Sequence, residues 1–134
     1  MQLGIFAKTF SGNDPYTVFR AASEAGYTCV QYNMACSGLP SLPDEISQDV
    51  AEAIAEASKC TGIGAAAVSA TYNMIHPDPS VRTHGHRRLE VIAAACKAMG
   101  TKIVTLCTGT RDPQDQWRHH PDNQAPEAWR DLLE

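Results

Sequence analysis

No apolar run in this sequence approaches the ~20 residues of a membrane span. The opening MQLGIFAKTF lacks the charged stretch and long apolar core of a secretory signal. Five cysteines, at 29, 36, 60, 96 and 107, are odd in number and form no CxxC pair. That argues against a disulfide framework or a zinc knuckle and points to reduced thiols in a cytoplasmic protein. Basic residues are scarce: 11 Lys and Arg stand against 15 Asp and Glu, a net charge of −4. Binding to a phosphate backbone usually needs a basic face, so neither nucleic acid nor a membrane is the expected partner. Nor does Lys8–Gly12, the turn after the first apolar segment, carry a glycine-rich dinucleotide fingerprint.

What the sequence does hold is an alternation. With 134 residues, one domain is expected, and 43% apolar residues suffice for a core. Ala65–Asp78 shows the unit best: a small and β-branched run, a polar-aromatic exit, then Pro77–Asp78–Pro79 opening a helix. Strands are predicted over residues 2–7, 27–33, 63–70 and 102–107. Helices are predicted from Asp14–Pro15 to Gly26, from Ser47 to Lys59, from Asp78–Pro79 to Met99, and from Pro126 onward, with N-cap or proline signals at their starts. Val18, Phe19, Ala22 and Ala25 share one helical face. So do Val50, Ile54 and Ala57, and so do Val81, Leu89, Ile92 and Cys96.

Alternating strands and helices imply an α/β fold of parallel βαβα units with right-handed crossovers. The strands read as two-faced. Gly4, Phe6, Lys8, Gln31, Asn33, Ala67, Ser69, Thr71, Thr105 and Cys107 are small or polar on one parity. Leu3, Ile5, Val30, Tyr32, Val68, Val104 and Leu106 are apolar on the other. Two unlike faces suit a barrel with a packed interior and a ring of helices. A (β/α)8 TIM barrel takes roughly 250 residues, and four βα units make half of one. The expectation is a partial TIM-barrel domain over residues 1–134, its N-terminal half, truncated within the fourth helix. Such a half exposes two sheet edges and should dimerise or pair them, so a homo-oligomer is a candidate state.

Several stretches carry a resemblance: LGIFAKTF, VQYNMACSGLPSLPDEI, AAVSATYNMIHPDPSVR, RRLEVIAAACKAMGTKIVTLCTGTRDP and WRHHPDNQAPEAWRDLL. With these the chain resembles the N-terminal half of the sugar phosphate isomerase/epimerase family, the xylose isomerase-like barrels. The resemblance implies 1,2-isomerisation or epimerisation of a sugar or sugar phosphate. It also implies a divalent metal (Mn, Mg, Co or Zn) in the full-length protein, with its ligands and the acid/base glutamates on later strands. None is expected to bind these residues alone. A sister branch, the apurinic-site endonucleases, places zinc-binding histidines after the third and fourth strands. Here His76 lies several residues into its loop and Cys107 stands at the other position, which argues against a zinc cluster and leaves a metal-dependent hydrolase or lyase on the same barrel as the second reading. A non-catalytic half-barrel binding module is the third.

Barrel chemistry lies at the C-terminal strand ends, which selects the candidate substrate contacts. Phe6 and Lys8 close the first strand, as an apolar wall and a cation. Gln31 and Asn33 close the second, and their neutral amides can bond sugar hydroxyls without burying a charge. Ser69, Tyr72, Asn73 and His76 follow the third strand. For His76 the competing role is a local hydrogen bond beside Pro77–Asp78. Cys107, Thr108 and Thr110 follow the fourth, with Cys107 expected as a small filler. Trp117, His119 and His120 lie in the long loop beyond, where Trp117 suits stacking on a sugar ring. His84, His86, Arg87 and Arg88 read as a solvated helix surface. No residue of this half is assigned as catalytic or as a metal ligand.

Overall fold

The computed structural model describes residues 1–134. Four strands, β1 (Gly4–Phe6), β2 (Cys29–Tyr32), β3 (Gly64–Ser69) and β4 (Val104–Thr105), alternate with four helices, α1 (Pro15–Glu24), α2 (Gln48–Thr61), α3 (Pro79–Ala95) and α4 (Pro126–Leu133). Every strand pair is parallel, and the sheet order is β1-β2-β3-β4. A doubly wound sheet would reverse its order at a switch point. Strictly sequential order makes this sheet an arc of a barrel.

The helices begin where their local chemistry dictates. Asp14 accepts a hydrogen bond from the Thr17 N–H (2.8 Å), Ser47 from the Val50 N–H (3.3 Å), and Asp78 from the Ser80 N–H (2.8 Å). Each satisfies an orphan donor of a first turn. The core lies between the helices and the outer sheet face. Val30, Tyr32 and Val68 meet Val18, Phe19 and Ala22 of α1 and Ala51, Ile54 and Ala57 of α2. Phe19 stacks on Tyr32 at 5.4 Å between centroids. The Tyr32 hydroxyl pairs with Ser37 at 2.7 Å, so the ring is buried without an orphan polar atom.

Differences from the sequence reading concentrate at the arc's ends. β1 and β4 are shorter than predicted because each has a sheet partner on one side only. Leu3 and Leu106, expected under helices, are exposed, and so is Val81, expected on the apolar stripe of α3. Helix α3 ends at Ala95 rather than Met99, where the Cys96 N–H bonds the Ala93 carbonyl and tightens the last turn. Of α3, only Gly85 and Ile92 are fully buried.

The inner face carries Phe6, Gln31 and Ala67 in one cross-strand row and Ser69 and Thr105 in the next. An irregularity between Val30 and Gln31 shifts the pairing so that Gln31 faces Ala67. Gly4 is required opposite Cys29, because a Cβ there would lie 2.8 Å from the Cys29 sulfur.

Candidate functional site

The segments after β3 (residues 70–78, loop 3) and after β4 (residues 106–125, loop 4) run on together past the end of the sheet. The Ala70 N–H donates to the Thr105 carbonyl at 3.0 Å, and the Ile75 N–H to the Thr108 carbonyl at 3.2 Å. Between them Asn73 acts as a peptide surrogate. Its Nδ2 donates to the Thr110 carbonyl (2.7 Å) and its Oδ1 accepts the Thr110 N–H (3.0 Å). Gly109 is folded against this amide with φ +79°, and any side chain there would collide with Asn73.

His76 extends the same seam. Its Nδ1 accepts the Asp78 N–H (3.0 Å), so Nε2 carries the proton and donates to the Pro113 carbonyl (3.3 Å). The Cys107 thiol donates to the Tyr72 carbonyl at 3.4 Å, and burial pushes its pKa up. A thiol held protonated is a poor nucleophile. These three candidates therefore make contacts that build the loops. Asn33 does likewise: buried, it accepts the Ala35 N–H at 3.0 Å and caps the turn after β2.

Charged residues that sequence spacing could not reveal lock the outside of these loops. Asp131 of α4 receives Arg111 (2.6 Å) and Arg82 (3.3 Å), with side chains only 10–20% exposed. Arg111 also donates to the Ile75 carbonyl and Arg82 to the His76 carbonyl. Arg88, read from sequence as solvated, instead clamps Asp44 in two parallel bonds of 2.7 and 2.9 Å. That pair holds the carboxyl of Asp44 below its ordinary range and ties the segment after β2 to α3. Asp112 collects the N–H groups of Gln114 and Asp115, which lower its pKa, with Arg118 beside it. Asn123 accepts from Thr110 and from the Arg111 N–H. The Asp112–Pro113 step is the one local sign of this turn. The ion pairs of Asp131 and Asp44 join residues 20 to 49 positions apart and leave none.

Three groupings of candidates emerge. On the inner sheet face, Gln31 reaches across Ala67 to donate to Thr105 at 2.6 Å, and Ser69 pairs with Thr71 at 3.2 Å. Phe6 stands at the open edge of the same row. On the rim, Tyr72, Asn73 and His76 floor a cavity of about 470 Å³ between α3 and residues 112–116. In loop 4, Cys107, Thr108, Trp117 and His119 border a hollow of about 260 Å³. Lys8 belongs to none of them: it sits in a helical turn after β1, with Ser41 at 3.4 Å. No three His, Cys, Asp or Glu side chains converge anywhere. The residues present therefore do not make the carboxylate–histidine set that the resemblance implies for a metal.

The xylose isomerase-like TIM barrel family model matches residues 19–134. The chain belongs to this family. It includes sugar isomerases and epimerases as well as endonuclease-like members. Among solved structures, the chain is similar to a xylose isomerase-like TIM barrel/4-hydroxyphenylpyruvate dioxygenase fusion protein. The TM-score is 0.62 at 17% identity, over 84% of this chain and 17% of that one. At that identity the likeness establishes the fold. No curated protein matches the chain. No helix is long and apolar enough to cross a membrane.

Proposed function

We propose that these four βα units are the substrate-holding half of a barrel that isomerises or epimerises a sugar or sugar phosphate. The observation that carries this reading is the chemistry of the inner face. Gln31, Ser69, Thr71 and Thr105 offer amide and hydroxyl groups and no charge, with Phe6 as an apolar neighbour. Such groups both donate to and accept from vicinal hydroxyls, and exchanging the Gln31–Thr105 bond for ligand bonds leaves no charge uncompensated.

Within the proposal these residues bind and orient the sugar, and the seam of Asn73 and His76 keeps the loops over it in place. A divalent metal would polarise the carbonyl and hydroxyl oxygens. Its ligands and the carboxylates that move the proton are assigned to residues outside these 134. An endonuclease-like activity is the competing reading within the family. It fits an uncharged face in a protein of net charge −4 less well.

The test uses the full-length protein with Mn, Mg, Co or Zn and a panel of aldoses, ketoses and their phosphates. Metal-dependent interconversion is expected, with Gln31→Ala raising KM about 10-fold, the weight of one or two hydrogen bonds. Nicking of abasic DNA without sugar turnover would overturn the reading.

A further inference from the structure

The rim cavity is separate from the inner sheet face. None of Phe6, Gln31, Ser69, Thr71 and Thr105 lines it. Its walls are Leu42 of the segment after β2, loop 3, α3 and the turn at residues 112–116. At about 470 Å³ it has the size of a small-molecule site. Val81, exposed rather than part of the core stripe of α3, stands on its wall.

Tyr72 points to a ligand. Its side chain is only 9% exposed and its ring is set against Gly85, yet its hydroxyl has no hydrogen-bond partner in the protein. Nor is that oxygen sealed away from solvent-accessible space. A buried phenol ordinarily finds a partner, as Tyr32 does in Ser37. Gln114 is held through its backbone N–H alone, and the side-chain amides of Gln114 and Gln116 bond nothing in the protein.

The other polar groups of the wall are committed. Asn73 is spent on Thr110, and both ring nitrogens of His76 on Asp78 and Pro113. Arg88 grips Asp44 in two bonds, with His84 3.8 Å from the same carboxylate. Asp112 is taken by its own turn and by Arg118. What stays open is a phenol and two amides beside Leu42 and Val81, with one oxygen of Asp115 not used by the Trp117 N–H. An anion here meets Asp112 and Asp115 and no cation that is not already paired. A metal ion meets no cluster of ligands. Groups that both donate and accept, next to a small apolar patch, match a neutral polyol. We propose that this cavity binds an unphosphorylated sugar or sugar alcohol, as a second site on the barrel rim. The proposal does not rest on the activity assigned to the inner face.

Titration of the full-length protein with sorbitol, followed by NMR of the Val81 methyl groups, tests it. Sorbitol has no carbonyl to isomerise, so turnover does not enter. Saturable shifts at Val81 are expected, with sorbitol 6-phosphate binding there at least several-fold more weakly. Tyr72→Phe keeps the ring against Gly85 and should weaken sorbitol about 3- to 10-fold, the weight of one hydrogen bond. Val81→Trp, at an exposed helix position, should block the site while the helical circular dichroism persists. Gln31→Ala should leave the Val81 response unchanged, which separates this site from the inner face. A silent Val81, an affinity indifferent to Tyr72→Phe, a preference for the phosphate, or loss of the response in Gln31→Ala would each overturn the proposal, whether or not the protein isomerises sugars.

Discussion

Asn73 holds both backbone groups of Thr110, its Nδ2 on the carbonyl at 2.7 Å and its Oδ1 on the N–H at 3.0 Å. Both residues are buried. One side chain thus continues the parallel pairing of β3 and β4 beyond the point where the main chains diverge. Asn73→Ala strands a buried donor and a buried acceptor, at about 1–3 kcal/mol each before relaxation. A loss on the order of 2–4 kcal/mol in urea unfolding is expected. Asn73→Asp should be no milder, because a carboxylate oxygen would face the Thr110 carbonyl.

Gly85 is pressed against the ring of Tyr72, in the space its own Cβ would fill. In a helix interior, Gly→Ala ordinarily stabilises by about 0.5–1 kcal/mol. Here Gly85→Ala should destabilise by about 1–3 kcal/mol through overpacking. In a Tyr72→Ala background the sign should reverse. A double-mutant cycle by chemical denaturation reads this directly, and additive effects would refute the contact.

Asp131 joins Arg82 and Arg111 where all three side chains are largely shielded. Asp131→Asn keeps the shape but leaves two adjacent guanidinium groups without this counter-charge. Removing one partner of a fully buried pair costs about 3–5 kcal/mol, and the partial exposure here lowers the expectation to about 2–3 kcal/mol. Trypsin should also cut loop 4 at Arg111 or Arg118 several-fold faster than in the parent chain.

Three aspartates have carboxyls lowered in the folded state: Asp44 by the hydrogen bonds from Arg88, Asp78 by those from Ser80, and Asp112 by the N–H groups of Gln114 and Asp115. A folded pKa below the unfolded value of about 3.9 means stability fully present above pH ~4. It is lost as pH falls through the lower folded values. The urea midpoint should be flat from pH 7 to about 5 in so far as these groups set it, then fall on acidification. Asp112→Asn should shrink that acid-side drop. An unchanged acid limb would count against the turn's role.

Features of the sequence that act over a few residues were legible. Asp14, Ser47 and Asp78 cap the helices they were expected to cap, and Ile54, Ala57 and Ile92 are buried as their spacing predicts. His76 shows where legibility ends. Its bond to Asp78 is two residues away and could be anticipated, while its bond to Pro113 crosses 37 positions. Asn73 and Cys107 were legible as polar strand-end residues. Their engagement with Thr110 and Tyr72 depends on how two loops run side by side, which no spacing encodes. The lengths of β1 and β4 were unreadable for a related reason: a strand's extent is set by its neighbour, and each of these has one.

The Asp131 knot has a consequence in time. Loops 3 and 4 depend on a carboxylate that lies C-terminal to both. A chain made from its N-terminus could pair β1 to β4 before α4 emerges. Its rim would still lack the counter-ion that holds Arg82 and Arg111 against the Ile75 and His76 carbonyls. The scaffold would therefore form first, and the rim would stay open to proteases and chaperones until α4 docks.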